Sequence, residues 1–305
     1  MIRYCGRFAP TPSGPLHFGS MIAAIGSYCD ARANNGSWHV RIDDIDKPRE
    51  VPGAADDILQ TLARFGLEWD GEPVFQSRHL TSYHTAIHML RSRAHVYACS
   101  CSRKEISQAD ETGVDNPIYS GACRNGLKIG RRARSLRLQI DINVQADFSD
   151  FLQGTISQYL ATEVGDFVLY RSGGIFAYHL ACAVDDAQQG VTHVVRGADL
   201  IESTPRQIHL QRLLGIPTPA YLHLPIALSG PGQKFSKQTG ATRVDDSRPG
   251  EIIHSALRFL QQRPPAELMQ APAHTAIEWG VAHWRRENLP RTRAIEIKPT
   301  DRILT

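Results

Sequence analysis

The stretch from Tyr4 to Ile42 places the tightest constraint on the fold. Tyr4 to Ala9 reads as a strand, Pro10 to Pro15 as a turn, Phe18 to about Asn34 as a helix, and Trp38 to Ile42 as a second strand. A strand, a helical crossover and another strand form the unit of a parallel sheet, which needs helices on both faces. The rhythm continues with a helix that Pro52 opens and Gly66 closes, near Phe65. Ser77 is the expected cap of a third helix reaching about Arg93.

Between about Tyr97 and Tyr159 the rhythm breaks. This stretch holds clustered cysteines, a basic run (Lys128, Arg131, Arg132, Arg134, Arg137) and short strand patterns, so an insertion is expected. The α/β pattern resumes at Phe167–Tyr170 and turns at Ser172-Gly173-Gly174. It then gives a helix (Tyr178–Gln188), a strand (Val191–Val195) and a helix (Ser203–Leu214) ended by Gly215. Beyond Gly240 the chain reads as helical, from Pro249 to Gln262 and from Thr275 to Arg286, and its final residues carry no pattern.

Composition narrows the class. The 305 residues are 42% hydrophobic and 21% charged, ordinary for a globular protein. No apolar run approaches the roughly eighteen residues of a membrane span, and MIRYCGRFAP lacks the order of a signal peptide. A cytoplasmic protein without a membrane partner is therefore expected. The net charge of +3 permits an RNA partner without requiring one. Of the six cysteines, Cys99, Cys101 and Cys123 cluster and point to a metal; Cys5, Cys29 and Cys182 read as buried small side chains.

The first turn ends Pro15-Leu-His17-Phe-Gly19-Ser20, with no Gly-Lys-Ser/Thr and no G-x-G-x-x-G. A helix N-terminus offers free N–H groups to an anion, Gly19 permits close approach, and His17 can donate to a phosphate oxygen. Far downstream, Gly232-Gln-Lys234-Phe-Ser236-Lys237-Gln238 sets two lysines in a Gly-rich loop that can close over phosphates. Taken singly, the first segment is as readily an ordinary capped turn, and the second a solvated basic loop.

Together the two segments resemble the paired signatures of class I aminoacyl-tRNA synthetases, with Ser20, Phe235 and Gln238 as departures. Arg7-Phe-Ala-Pro-Thr-Pro-Ser-Gly, Arg41-Ile-Asp-Asp-Ile-Asp46, Phe176-Ala-Tyr178-His-Leu, Val184-Asp-Asp186 and Val195-Arg196-Gly-Ala-Asp narrow the likeness to glutamyl-tRNA synthetases. The chain ends where that family begins its helical anticodon-binding region. Local spellings such as Leu16-His-Phe-Gly-Ser and Phe235-Ser-Lys-Gln also resemble the short paralogues, the glutamyl-queuosine tRNA(Asp) synthetases.

The resemblance implies a Rossmann-like doubly wound α/β domain in two halves, 1–96 and 161–240. An inserted zinc-bearing subdomain (97–160) and a helical C-terminal region (241–305) complete the expectation. It implies ATP, with Mg2+, and L-glutamate as substrates, and the queuosine of tRNA(Asp) as acceptor for a monomeric enzyme. His17, Lys234 and Lys237 are the expected catalytic residues, and His17, Gly19, Ser20 and Lys237 the expected ATP contacts. Phe8, Ala9, Pro10 and Thr11 are the expected floor of the glutamate site. Arg7 and Arg196 suit carboxylates through their forked donors, and Tyr178 supplies a hydroxyl. Asp43 stands where the family has glutamate, one methylene shorter, as the partner of the substrate ammonium. Asp44 and Asp46 are expected to be structural, with Asp44 available to a nearby base.

For the metal, the residues alone leave His95 or Asp115 as fourth ligand beside Cys99, Cys101 and Cys123. The family pattern points instead to Tyr119, giving a closed, structural zinc site. Two other readings stand beside the main one: a truncated synthetase charging a tRNA 3′ end, and a catalytically inactive RNA-binding module.

Overall fold

A computed structural model describes residues 3–109, 118–228 and 243–297. Strand β1 (Cys5–Phe8) leads through the Pro/Gly turn into α1 (Phe18–Ala33) and then β2 (Ser37–Ile42). Helix α2 (Ala54–Arg64) and β3 (Val74–Phe75) follow, and β1, β2 and β3 pair in parallel in that order. Helix α3 (Leu80–Ser92) precedes β4 (Val96–Cys99), α4 (Arg103–Ala109), β5 (Ser135–Leu138), β6 (Gln145–Asp150) and β7 (Gly154–Tyr159). Next come α5 (Leu160–Glu163), β8 (Val168–Arg171), β9 (Ile175–Phe176), α6 (Tyr178–Gln188), β10 (His193–Gly197), α7 (Thr204–Leu214) and β11 (Ala220–Leu224). Strands β12 (Ile226–Leu228) and β13 (Ala294–Glu296) pair in parallel around α8 (Pro249–Phe259) and α9 (Ala273–Ala282).

A second sheet has the order β10-β11-β6-β7, with β10 parallel to β11 and β11 parallel to β6. It abuts the first where the Thr192 amide donates to the Cys5 carbonyl (2.9 Å) and the Cys5 amide donates to Thr192 Oγ1 (2.8 Å). From this seam β2 and β3 lie to one side, and β11 and β6 to the other. The carboxyl ends of β1 and β10 therefore open at a topological switch point, where open α/β sheets bind ligands.

Helix α1 is buried along most of its length, against the sheet and against α8 and α9. A Cβ at Gly26 would lie 2.5 Å from Leu224 Cδ1, so the missing side chain lets α1 settle on β11. Asp30 on α1 is fully buried and satisfied: it accepts from Tyr4 Oη (2.5 Å), Trp284 Nε1 (2.9 Å) and Arg286 Nε (2.6 Å). That cluster ties the C-terminal region to the helix that begins at the site.

Three features differ from the sequence reading. Ser77 is no helix cap, because its amide and hydroxyl both donate to Asp44 (2.7 and 2.5 Å). Asp44 is thereby held by Ser77 rather than by a base, and His79 takes the N-cap position of α3 without a side-chain cap bond. Strands β4, β5, β8 and β9 form an antiparallel sheet rather than continuing the parallel one. Gly173 and Gly174, with φ of 106° and 85°, permit the tight reversal from β8 to β9. Strand β13 arises in the patternless tail because β12 offers a partner, which no local pattern reveals.

Buried imidazoles set a pH limit on this fold. Burial lowers His179 to about 3 and His209 and His223 to about 4. Each folded-state value lies below the ordinary 6.5, so the unfolded chain binds these protons first. Stability is then lost as pH falls below 6.5, by up to about 1.4 kcal/mol per pH unit for each histidine. Denaturant midpoints measured between pH 7 and pH 5 should fall steadily; a flat profile contradicts the assignment.

Candidate active site

A cavity of about 510 Å3 opens at the switch point. Its walls come from the β1–α1 turn, the start of α6, the end of β10 and the β11–β12 corner. Arg7, Phe8, Ala9, Pro10, Thr11, His17, Gly19, Ser20, Tyr178 and Arg196 all line it, so the fold gathers nearly all the predicted ATP and glutamate residues that it describes. Asp43 does not line it. Lys234 and Lys237 lie outside the described residues. The chain on either side of their loop is placed, however: Ile226 and Ala227 line the cavity, and the Val244 amide donates to the Leu16 carbonyl (3.1 Å).

His17 is the N-cap of α1. Its Nδ1 accepts from the Ser20 amide (3.3 Å), which leaves the proton of the neutral ring on Nε2. One side chain thus caps the helix and lines the cavity.

Arg196 is only 4% exposed. Its Nη2 donates to Thr204 Oγ1 (2.8 Å) and Gln207 Oε1 (2.9 Å), its Nε to His223 Nε2 (3.1 Å), and its Nη1 to the Tyr178 hydroxyl (3.3 Å). Among the described residues none of its partners is a carboxylate. His223 cannot balance the charge, since burial keeps it neutral while its Nδ1 bonds Asp150 (2.6 Å). A buried cation with no carboxylate among its hydrogen-bond partners favours an anionic ligand at this wall of the cavity, which Asp199 also lines.

Arg7 is held differently. Its Nε and Nη2 reach the two oxygens of Asp186 (3.2 and 3.5 Å), and Asp186 also accepts from Arg41 Nη1 (2.5 Å). Burial works against the Asp186 carboxylate, yet Arg7 and Arg41 hold it at about 2. Arg41, fully buried, also donates to Asp43 Oδ1 (2.8 Å). Burial pushes the Asp43 carboxyl up in spite of that pairing. The Asp43 amide donates to the Pro10 carbonyl (2.9 Å), which fixes this aspartate behind the cavity floor. Arg41 and Asp186 had no stated role in the sequence reading. A charged residue inside an apolar strand, and a paired Asp-Asp on an apolar helix, were the available signals.

Apart from the cavity, Cys99, Cys101 and Cys123 place their sulfurs within 4.8 Å of one another. The Tyr119 hydroxyl lies 3.3 Å from Cys99 Sγ and 3.6 Å from Cys101 Sγ, and accepts from the Cys123 amide (3.0 Å). Burial opposes a Cys123 thiolate, but hydrogen bonds led by that of Tyr119 bring the thiol down to about 6. Three soft sulfurs and one oxygen around a common centre fit a four-coordinate zinc.

Residues 5–252 match the family model described as tRNA synthetases class I (E and Q), catalytic domain. A glutamyl-Q tRNA(Asp) synthetase from Aromatoleum aromaticum is 51% identical over 94% of this chain and 91% of its own length. Those of Dechloromonas aromatica and Pseudomonas aeruginosa are 50% and 46% identical, covering 96% and 98% of this chain and 97% and 99% of their own. The fold matches the crystal structure of a glutamate tRNA ligase from Elizabethkingia meningosepticum in complex with its amino acid. The TM-score is 0.79 and the identity 21%, over 98% of this chain and 68% of that one. With a family model spanning most of its length and relatives near half identity from end to end, the chain belongs to the class I tRNA synthetases and, within them, to the glutamyl-Q tRNA(Asp) synthetases.

Proposed function

We propose that the chain activates L-glutamate with Mg-ATP as glutamyl-adenylate, without needing RNA, and transfers it to the queuosine at the wobble position of tRNA(Asp). The observation that carries this reading is Arg196, a buried cation on the cavity wall whose partners are all neutral. A substrate carboxylate supplies the missing charge, with the Tyr178 hydroxyl beside it. Arg7, pre-set by Asp186, takes the second carboxylate, and Phe8 to Thr11 form the floor. Asp43 acts on the ammonium as a fixed charge from behind that floor, through space or through water.

The phosphates sit at the mouth of α1, where Gly19 and Ser20 leave backbone close at hand and His17 Nε2 donates. Lys234 and Lys237 neutralise charge on the departing pyrophosphate, so rate comes from positioning and electrostatics. The adenylate carbonyl then meets the acceptor hydroxyl. The enzyme works as a cytoplasmic monomer.

Cys99, Cys101, Tyr119 and Cys123 hold a structural zinc, since four protein donors leave no open coordination position. Cys123→Ser should bring bound zinc from about one per chain to near zero and lower the melting temperature. Full zinc content in that variant, measured by atomic emission, counts against the assignment.

The test of the activity is pyrophosphate exchange into ATP in the absence of RNA. Exchange that depends on L-glutamate, and is not driven by glutamine or aspartate, supports the reading. Exchange with no amino-acid dependence removes it.

A further inference from the structure

A second groove, of about 550 Å3, lies outside the glutamate cavity. One wall is α3, which presents His84, His88 and Arg91 at spacings of four and three residues, hence on one face. The other wall is Leu136 and Tyr170, direct partners across β5 and β8. His84 stands 5.9 Å from the Tyr170 ring and 4.8 Å from that of Phe176. Phe176 in turn lies two residues before Tyr178, so β9 runs from the groove to the glutamate cavity.

The chain segments that build this groove carry charge of one sign. No Asp or Glu occurs from Ser77 to Lys104, from Ile118 to Ile140, or from Phe167 to Val184. Those segments build α3, β4, β5, β8, β9 and the start of α6. Arg91, Arg134 and Arg171 are exposed here. Arg134 is the residue just before β5, and its amide donates to the Cys99 carbonyl at the end of β4 (2.8 Å). In a chain with only three more basic than acidic residues, this concentration of charge is local.

We infer that this groove docks the RNA acceptor, with an unpaired base stacked among His84, His88 and Tyr170 and its flanking phosphates on Arg91 and Arg134. The inference rests on the reading that the substrate is a tRNA. An aromatic-walled slot takes the π-face of any base, and a rim of cations tracks the backbone. A slot without carboxylates has nothing to hold a basic peptide, and its flat, aromatic walls favour a base over an acidic side chain.

The test uses the full-length chain, tRNA(Asp) and two exposed substitutions, Arg91→Glu and His88→Ala. The RNA Kd is measured by filter binding across a salt series, alongside glutamate-dependent pyrophosphate exchange. The expected result is a Kd raised about tenfold or more in each variant. Arg91→Glu should also lower the slope of log Kd against log salt by about 0.7 to 0.9, and Arg91→Lys should restore most of the affinity. Exchange should stay at the wild-type level, which certifies the fold and the separate glutamate cavity. Unchanged Kd and slope in both variants overturn the inference. A wild-type chain that activates no glutamate, yet loses RNA affinity in these variants, would sink the proposed activity and leave the groove standing.

Discussion

Replacing Arg196 with lysine should raise the KM for glutamate in pyrophosphate exchange by roughly 30- to 150-fold, while the KM for ATP moves by less than about twofold. A lysine keeps the charge but loses the forked geometry that meets a carboxylate, a change of about 2–3 kcal/mol. It also cannot reproduce the contacts to Thr204, Gln207 and His223 that aim the guanidinium. The ATP side should be spared because its proposed contacts, the β1–α1 turn and Lys237, do not include Arg196. An Arg196→Lys variant with a glutamate KM near wild type would mean that the carboxylate lies elsewhere, and Arg7 becomes the principal anchor.

The second large effect is on stability. Arg41→Met should lower the unfolding free energy by about 3–5 kcal/mol, read from urea denaturation at pH 7. Arg41 is completely buried, donates to Asp43 and Asp186, and lies 3.8 Å from Asp185. Methionine fills much of the volume but, among the described residues, leaves these carboxylates with Arg7 as the one arginine or lysine paired to them. The folded-state pKa of Asp186 is depressed, to about 2. Its stabilising contribution is therefore present above the ordinary carboxylate pKa near 4 and is lost as pH falls toward 2. Without Arg41 the folded-state pKa of Asp186 rises toward the ordinary value, so this acid limb should become smaller. A loss below about 1 kcal/mol would show that the network relaxes around the gap.

Much of this was legible in the sequence because the decisive segments are local. The β1–α1 turn declares itself by Pro and Gly between an apolar strand and an apolar helix, and that unit places Arg7 to Ser20 along one wall. Tyr178 was readable as the first residue of α6, and Gly215, at φ 68°, as the residue that ends α7. The features that were missed are long-range. Asp44 captures Ser77 across 33 residues, and Arg41 meets Asp186 across 145. Neither pairing leaves a periodic trace. The antiparallel sheet was hidden because four short strands with intervening loops resemble interrupted α/β units until their pairing is known. Asp43 shows the same gap: its type and position were readable, but not that Arg41 would occupy its carboxylate.

The most direct test of the central claim is the acceptor. Purified protein, ATP and labelled glutamate are incubated with two preparations of tRNA(Asp), one bearing queuosine and one bearing guanosine at the wobble position. The labelled RNA is then cleaved to separate the anticodon loop from the 3′ end. The account predicts label only in the queuosine-bearing tRNA and only in its anticodon-loop fragment. Equal labelling of both preparations, recovered at the 3′ end, would contradict it.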